Sequence, residues 1–281
     1  MTHPLWIIDA FTAEPFAGNP AAVCLLDHPA DAPWMQAVAR ELGFSETAFL
    51  HAEGNGYRLR WFTPATEVEL CGHATLASAH VLWTDGLLAP GAPATFETLS
   101  GRLGAAQSGT WIELDFPAFA TEPAVSPPGL AKALGAEPVA VARCRDDYLV
   151  ELADETTVRT LTLDAPAVAR LPLRGVIVTA AADRRVTSTG IAPAPTPAVG
   201  GPLSHDFVSR FFAPGYGVRE DPVTGFAHCI LGPYWAAKLG RTTLVGYQAS
   251  ARGGYVRVTL RDGRALLGGQ AVTVVRGELM A

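Results

Sequence analysis

Two stretches of this chain, Ala74–Trp83 (ATLASAHVLW) and Phe226–Leu239 (FAHCILGPYWAAKL), read as helices that are apolar on nearly every side. A helix without a polar face has to be surrounded by other elements. The rest of the chain supplies candidates for that shell. LWIIDAF, AAVCLL, ETAFLH, YRLRWF, ATFET and WIELDF fall in the first 116 residues, and VAVAR, YLVEL, GVIVTA, LVGYQAS, YVRVTL and AVTVVRG in the remainder. All are short, β-like and bounded by Gly, Pro, Asp or Ser.

The two helices open and close alike. Gly72-His73-Ala74 begins the first and Gly86 follows it. Gly225-Phe226-Ala227 begins the second and Gly240 follows it. A polar, proline-containing loop precedes each, TPATEVELC and REDPVTG. The pattern reads as one α+β unit used twice, a sheet wrapped around a central helix. One further helix is expected at Asp31–Leu42, with Asp31 as its N-cap and Gly43 as its C-cap. The proline-rich stretch Phe116–Leu130 is the best linker candidate. The expected division is 1–118, a linker at 119–130, and 131–281, with the last strand able to cross back to the first domain.

Composition narrows the partners. The 281 residues carry a net charge of −6 and no basic run, which disfavours nucleic acid and anionic membrane surfaces. No stretch of 18 apolar residues occurs, so no membrane span is expected. The opening MTHPLWIIDAF lacks the basic and apolar regions of a signal peptide. Cys24, Cys71, Cys144 and Cys229 are scattered without a CxxC pair, the usage of reduced thiols in a cytoplasmic protein with no zinc framework.

Several residues are candidates for chemistry. Free N–H groups at the start of a buried helix favour an anion. Residues 72–75 and 223–226 would therefore suit a carboxylate, with Cys71 and His73 as a site wall. Local capping by Thr75 or Glu69 is the simpler reading of the first helix start. Glu46, within GFSETAFL, is either solvent-facing, as the alternation favours, or buried with its pKa raised into a range useful for proton transfer. Asp221 precedes Pro222 and is either a turn residue or a second carboxylate beside the second helix start.

Taken together, DAFTAEPFAGNPAAVCLL (Asp9–Leu26), GFSETAFL, FTPATEVELCGHATLASAHVL (Phe62–Leu82), EDPVTG with AHC and PYWAAKLG (Glu220–Gly240), and QASARGG (Gln248–Gly254) closely resemble the phenazine-biosynthesis PhzF-like isomerases. Little of the match falls between 122 and 206, a segment given no role beyond scaffold. The resemblance implies the diaminopimelate-epimerase-like fold: two similar domains, each a mixed sheet curled around a central helix, with the site in the cleft between them. It implies Glu46 as the acid/base, His73 and Asp221 as its catalytic companions, and Ser45 and Gly72 lining the site. Gly225 and Phe226 at the second helix start are the further substrate-binding candidates. The implied activity is cofactor-free and metal-free isomerisation, moving a proton between carbons of an unsaturated cyclic amino acid. Dihydro-hydroxyanthranilate is the substrate of the phenazine-pathway members. A cytoplasmic homodimer acting on a small carboxylate is the expected working form.

Many members resembling this chain read DPxTGSA, with a Ser where Phe226 stands. That departure replaces a hydroxyl donor by an apolar ring and points to a different ligand. Two alternatives remain at this stage. One is an amino-acid racemase with a thiol at each helix start; Cys71 lies near one such place, whereas the other falls near Pro222, which has no ionisable group. The second is a metabolite-binding protein that keeps the fold without turnover.

Overall fold

The computed structural model describes residues 2–183, 186–187, 190–191 and 204–280, without the side chains at 186–187 and 190–191. The rest of the 122–206 segment's weakly matching middle lies outside the described residues. The chain divides into two compact units, Met1–Phe116 with Leu266–Ala281, and Pro117–Ala265. The architecture is α+β, mixed sheet with few helices.

In the first unit the strands follow one another as Ala271–Met280, Thr2–Ala10, Asn19–Leu25, Thr47–Glu53, Gly56–Phe62, Ala94–Thr98 and Gly101–Ser108. Their successive pairings are antiparallel, antiparallel, parallel, antiparallel, parallel and antiparallel. In the second unit the order is Glu122–Pro123, Ala140–Cys144, Asp147–Glu151, Gly175–Ala181, Phe207–Ala213, Thr243–Gln248 and Gly254–Arg261. The six pairings have the same senses in the same order. In each unit the buried helix, Gly72–Thr84 or Gly225–Leu239, occupies the second parallel crossover. Parallel neighbours require such a crossover, so the helix sits where the connection demands one.

The duplication reaches individual side chains. Arg60 holds Glu67 through Nε and Nη2 at 2.7 and 2.8 Å and stacks over Phe62 at 5.2 Å. Arg210 holds Glu220 through the same atoms at 2.7 and 2.9 Å and stacks over Phe212 at 4.9 Å. Each fork ties the strand before the loop to the loop itself. Ser100 Oγ donates to the Glu69 carbonyl at 2.8 Å, three residues before the first helix; Ser250 Oγ donates to the Pro222 carbonyl at 2.8 Å, three residues before the second.

The two buried helices satisfy their polar groups differently, the first from within and the second from a neighbouring segment. In the first, Thr75 Oγ1 and Ser78 Oγ donate back to the Cys71 and Ala74 carbonyls. In the second, Pro233 lies inside the helix and has no N–H for the Cys229 carbonyl. The Phe119 N–H takes that carbonyl instead, at 3.0 Å. The proline-rich segment thus packs as part of the second unit, with Glu122–Pro123 adding a strand to it.

Two local differences from the sequence reading have simple causes. The strand containing Phe49 begins at Thr47, so Glu46 lies just ahead of it rather than within its alternation. Three further short helices, Leu130–Leu134, Glu155–Thr160 and Ala165–Ala169, are too brief to show periodicity. Asp154 and Asp164 cap the latter two, accepting from the Thr157 and Ala167 N–H groups.

His228 is fully buried in the second helix and donates Nδ1–H to the Thr224 carbonyl at 2.9 Å. Burial pushes its pKa from 6.5 down to about 4. A depressed histidine stabilises the fold above its unfolded value, and that contribution is lost as pH falls from 6.5 to about 4. The difference corresponds to about 3 kcal/mol. Urea unfolding across this window is expected to show the loss in the wild type. His228→Asn, which keeps a donor for Thr224, is expected to flatten it.

Candidate active site

The first unit assembles its cluster at the start of the helix Gly72–Thr84. Cys71 is the N-cap and makes no side-chain capping bond. Thr75 turns its hydroxyl back to the Cys71 carbonyl, so neither it nor Glu69 blocks the helix start. The N–H groups of the first turn therefore point out of the helix without a local side-chain cap.

His73 is buried and sits at the centre of the group. Its Nε2 lies 3.3 Å from Glu46 Oε2 and 3.4 Å from Ser45 Oγ. Its Nδ1 lies 3.3 Å from Asn19 Nδ2 and 3.5 Å from Cys71 Sγ. With the Asn19 amide donating into Nδ1, Nε2 carries the ring proton and donates to Glu46. Asn19 is itself placed by a constrained loop. The buried Asp9 carboxylate accepts the Phe16 N–H at 2.7 Å. Gly18 then turns with φ +64°, where any Cβ would come within 2.1 Å of the Ala10 carbonyl oxygen.

Glu46 is enclosed by this cluster, yet 20% of its side-chain surface stays open. Burial raises its pKa above 4.5; hydrogen bonds from Ser45 and Cys71 oppose that rise without cancelling it. A carboxyl group in this setting holds a proton more readily than one in water and still has a face free to exchange it. This is the environment of a general acid/base.

The donors Glu46, Cys71 and His73 have ligating atoms within 4.8 Å of one another, a set zinc accepts. Glu46 lies against Nε2 of the ring and Cys71 against Nδ1, and Cys71 also bonds Glu46.

The second unit builds its counterpart before Gly225–Leu239. Thr224 is the N-cap and likewise makes no capping bond. Its hydroxyl donates to Asp221 Oδ2 at 2.5 Å. Gln248, fully buried, fixes the loop with three bonds. Its Oε1 accepts the Thr224 N–H at 2.9 Å, and its Nε2 donates to the Asp221 carbonyl at 2.8 Å and to Thr224 Oγ1 at 3.1 Å. Gly225 is buried at the helix start. Aligned on the two N-caps, Thr224 is the counterpart of Cys71.

The Phe226 ring packs within the second unit. It lies 5.4 Å from the Phe119 ring, and the Arg174 guanidinium sits 4.9 Å from its centroid. Arg174 is held in turn by the buried Asp147.

Sequence reasoning named Ser45, Glu46, Gly72 and His73 in the first unit and Asp221, Gly225 and Phe226 in the second. It gave no role to Asn19 or Gln248. The only sequence signal for either was an amide side chain within an otherwise apolar run, NPAAVCLL and LVGYQ.

The two units thus share a strand order, and each has a helix start without a side-chain cap beside a carboxylate. The family model described as "Phenazine biosynthesis-like protein" matches residues 8–277. The chain belongs to this PhzF-like family, some of whose curated relatives carry isomerase names. It is 48% identical to an uncharacterized isomerase of Halalkalibacterium halodurans, over 100% of this chain and 99% of the relative. The crystal structure of a PhzF-family phenazine biosynthesis protein from Enterococcus faecalis is 40% identical and superposes with a TM-score of 0.90, covering 100% of both chains. A hydroxyproline epimerase from Agrobacterium vitis shares the fold at 10% identity, with a TM-score of 0.58 over 99% of this chain and 92% of its own. No helix among the described residues is long and apolar enough to cross a membrane.

Proposed function

We propose that this isomerase moves a proton between carbons of a small, unsaturated, cyclic amino-acid-like carboxylate, without a cofactor and with Glu46 as the single acid/base. The observation that carries this reading is the state of Glu46: desolvated, bonded to His73, Ser45 and Cys71, and open on one face. In this mechanism Glu46 takes the proton from one carbon and returns it to another on the same face. His73 Nε2–H steadies the carboxylate when it is charged. The N–H groups at the start of each buried helix suit a carboxylate. Asp221, fixed by Thr224 and Gln248, is the second unit's carboxylate, suited to accept from an amino group.

A racemase needs a second base on the opposite face of the substrate carbon. At Cys71's counterpart this chain has Thr224, an alcohol already committed to Asp221. That favours one carboxylate over two thiols. A cytoplasmic homodimer is the working form that the resemblance brings with this reading.

Dihydro-hydroxyanthranilate and a panel of saturated α-amino acids separate the possibilities. Isomerisation of an unsaturated cyclic substrate, with no racemisation of saturated ones, is the expected result. Racemisation alone would sink the proposal, and binding without either reaction would make the chain a metabolite-binding protein. Phe226 bears on which substrate works. Because its ring is engaged with Phe119 and Arg174, Phe226→Ser is expected to change turnover of dihydro-hydroxyanthranilate by less than about tenfold, less than the roughly 1–3 kcal/mol of an unpaired polar group. A larger gain in the paired assay would mean that the ring obstructs the substrate.

A further inference from the structure

A pocket of about 400 Å³ in the first unit is unrelated to the Glu46 cluster. Its walls come from the hairpin Thr47–Glu53 and Gly56–Phe62 and from the segment entering the helix Ala32–Leu42. Alternation puts Phe49 and His51 on one face of their strand, and the register sets them opposite Arg60 and Arg58. The floor is apolar, formed by Leu26, Met35 and Phe49, which belong to one buried cluster.

Arg58 is the uncommitted charge. It is half-buried in the pocket wall, and no carboxylate among the described residues pairs with it. Of the nearby acids, Glu67 is held in a two-point fork by Arg60, and Glu97, opposite Arg58 in the strand pairing, faces Arg102 at 3.6 Å; Glu53 stands at the rim, 3.6 Å from His51. Burial lowers the pKa of His51 despite the opposing pull of Glu53, with Arg58 and Arg60 adding to the fall, so the imidazole adds no competing cation at neutral pH. A half-buried guanidinium above an apolar floor matches a ligand with one anionic group and a compact apolar body. Glu53 at the rim disfavours a second negative charge on that ligand.

We propose that this pocket is a second small-molecule site, which takes a monocarboxylate with a flat or compact apolar body. The carboxylate sits on Arg58, and the body covers Leu26, Met35 and Phe49. The inference does not rest on the proposed reaction, and none of these side chains belongs to the catalytic cluster.

Methionine methyl labelling gives a direct test. The chain has three methionines. Met35 lines the pocket and is 2% exposed, whereas Met1 and Met280 lie at the chain ends. Benzoate is the probe and benzamide its neutral isostere. Benzoate is expected to shift the Met35 methyl signal saturably below about 10 mM, in the range of a fragment-sized ligand. Benzamide should bind at least about tenfold more weakly, and so should benzoate to Arg58→Gln. Arg58→Lys should retain part of the affinity. An unmoved Met35 signal would overturn the proposal. So would equal binding of benzoate and benzamide, a comparison that needs no variant to fold. Equal benzoate binding by wild type and a folded Arg58→Gln would overturn it as well.

Discussion

Glu46→Gln is expected to lower turnover by roughly 10²–10⁴-fold, the contribution of a positioned acid/base, while leaving ligand affinity nearly unchanged. The amide keeps the shape of the side chain and can still accept from His73 Nε2–H. It cannot carry the proton. The same variant has a stability signature that separates lost chemistry from a damaged fold. A carboxyl whose pKa is raised in the folded state favours folding below its unfolded value, here near 4.5, and loses that contribution as pH rises through the folded value. As pH rises through the folded value, the wild type ionises a desolvated carboxylate at a cost. The Gln variant should be at least as stable as wild type at pH 7–8 and should gain nothing near pH 4. Lower stability at neutral pH would show that the carboxylate is held by more favourable contacts than its burial indicates.

Gln248→Leu is expected to be the most damaging single change in the second unit. It leaves the Thr224 N–H, the Asp221 carbonyl and Thr224 Oγ1 without their buried partner. Unsatisfied buried groups cost about 1–3 kcal/mol each, so a loss of about 3 kcal/mol or more in urea unfolding is expected. The loop carrying Asp221 and the second helix start should loosen with it, and carboxylate affinity should fall. Gln248→Glu keeps an acceptor for the Thr224 N–H but offers no donor to the Asp221 carbonyl once ionised, so its effect should grow as pH rises. A stability change within about 0.5 kcal/mol, the range of an ordinary surface substitution, would mean the three bonds are not limiting.

The two buried helices were legible because a helix without a polar face can only be enclosed, and the Gly-rich starts with turn-rich preludes marked both. Their matching starts and ends also suggested the doubling, but the pairing senses and the Arg60–Glu67 and Arg210–Glu220 forks that carry it are revealed by no local pattern. Glu46, His73 and Asp221 stood out as chemical types beside helix starts and in motif stretches. Their environments did not: desolvation of Glu46 depends on where the strand begins, and Thr47 begins it one residue later than alternation suggested. Asn19 and Gln248 act across 54 and 24 residues of chain, so their roles exist only after the strands pair. Phe226 shows the same limit. Its identity was plain as a departure, but its direction is set by Phe119 and Arg174, both distant in sequence. Pro233, inside the second helix, omits a bond that only the distant Phe119 N–H supplies.

Deuterium uptake is the measurement closest to the central claim that one carboxylate moves the proton. Wild type and Glu46→Gln are incubated with dihydro-hydroxyanthranilate in heavy water, and the label is located by carbon and proton NMR. The account predicts product deuterated at one carbon only, on one face, with uptake lowered by roughly 10²–10⁴-fold in the variant. Label arriving at the same rate in Glu46→Gln, or on both faces of one carbon, would contradict it.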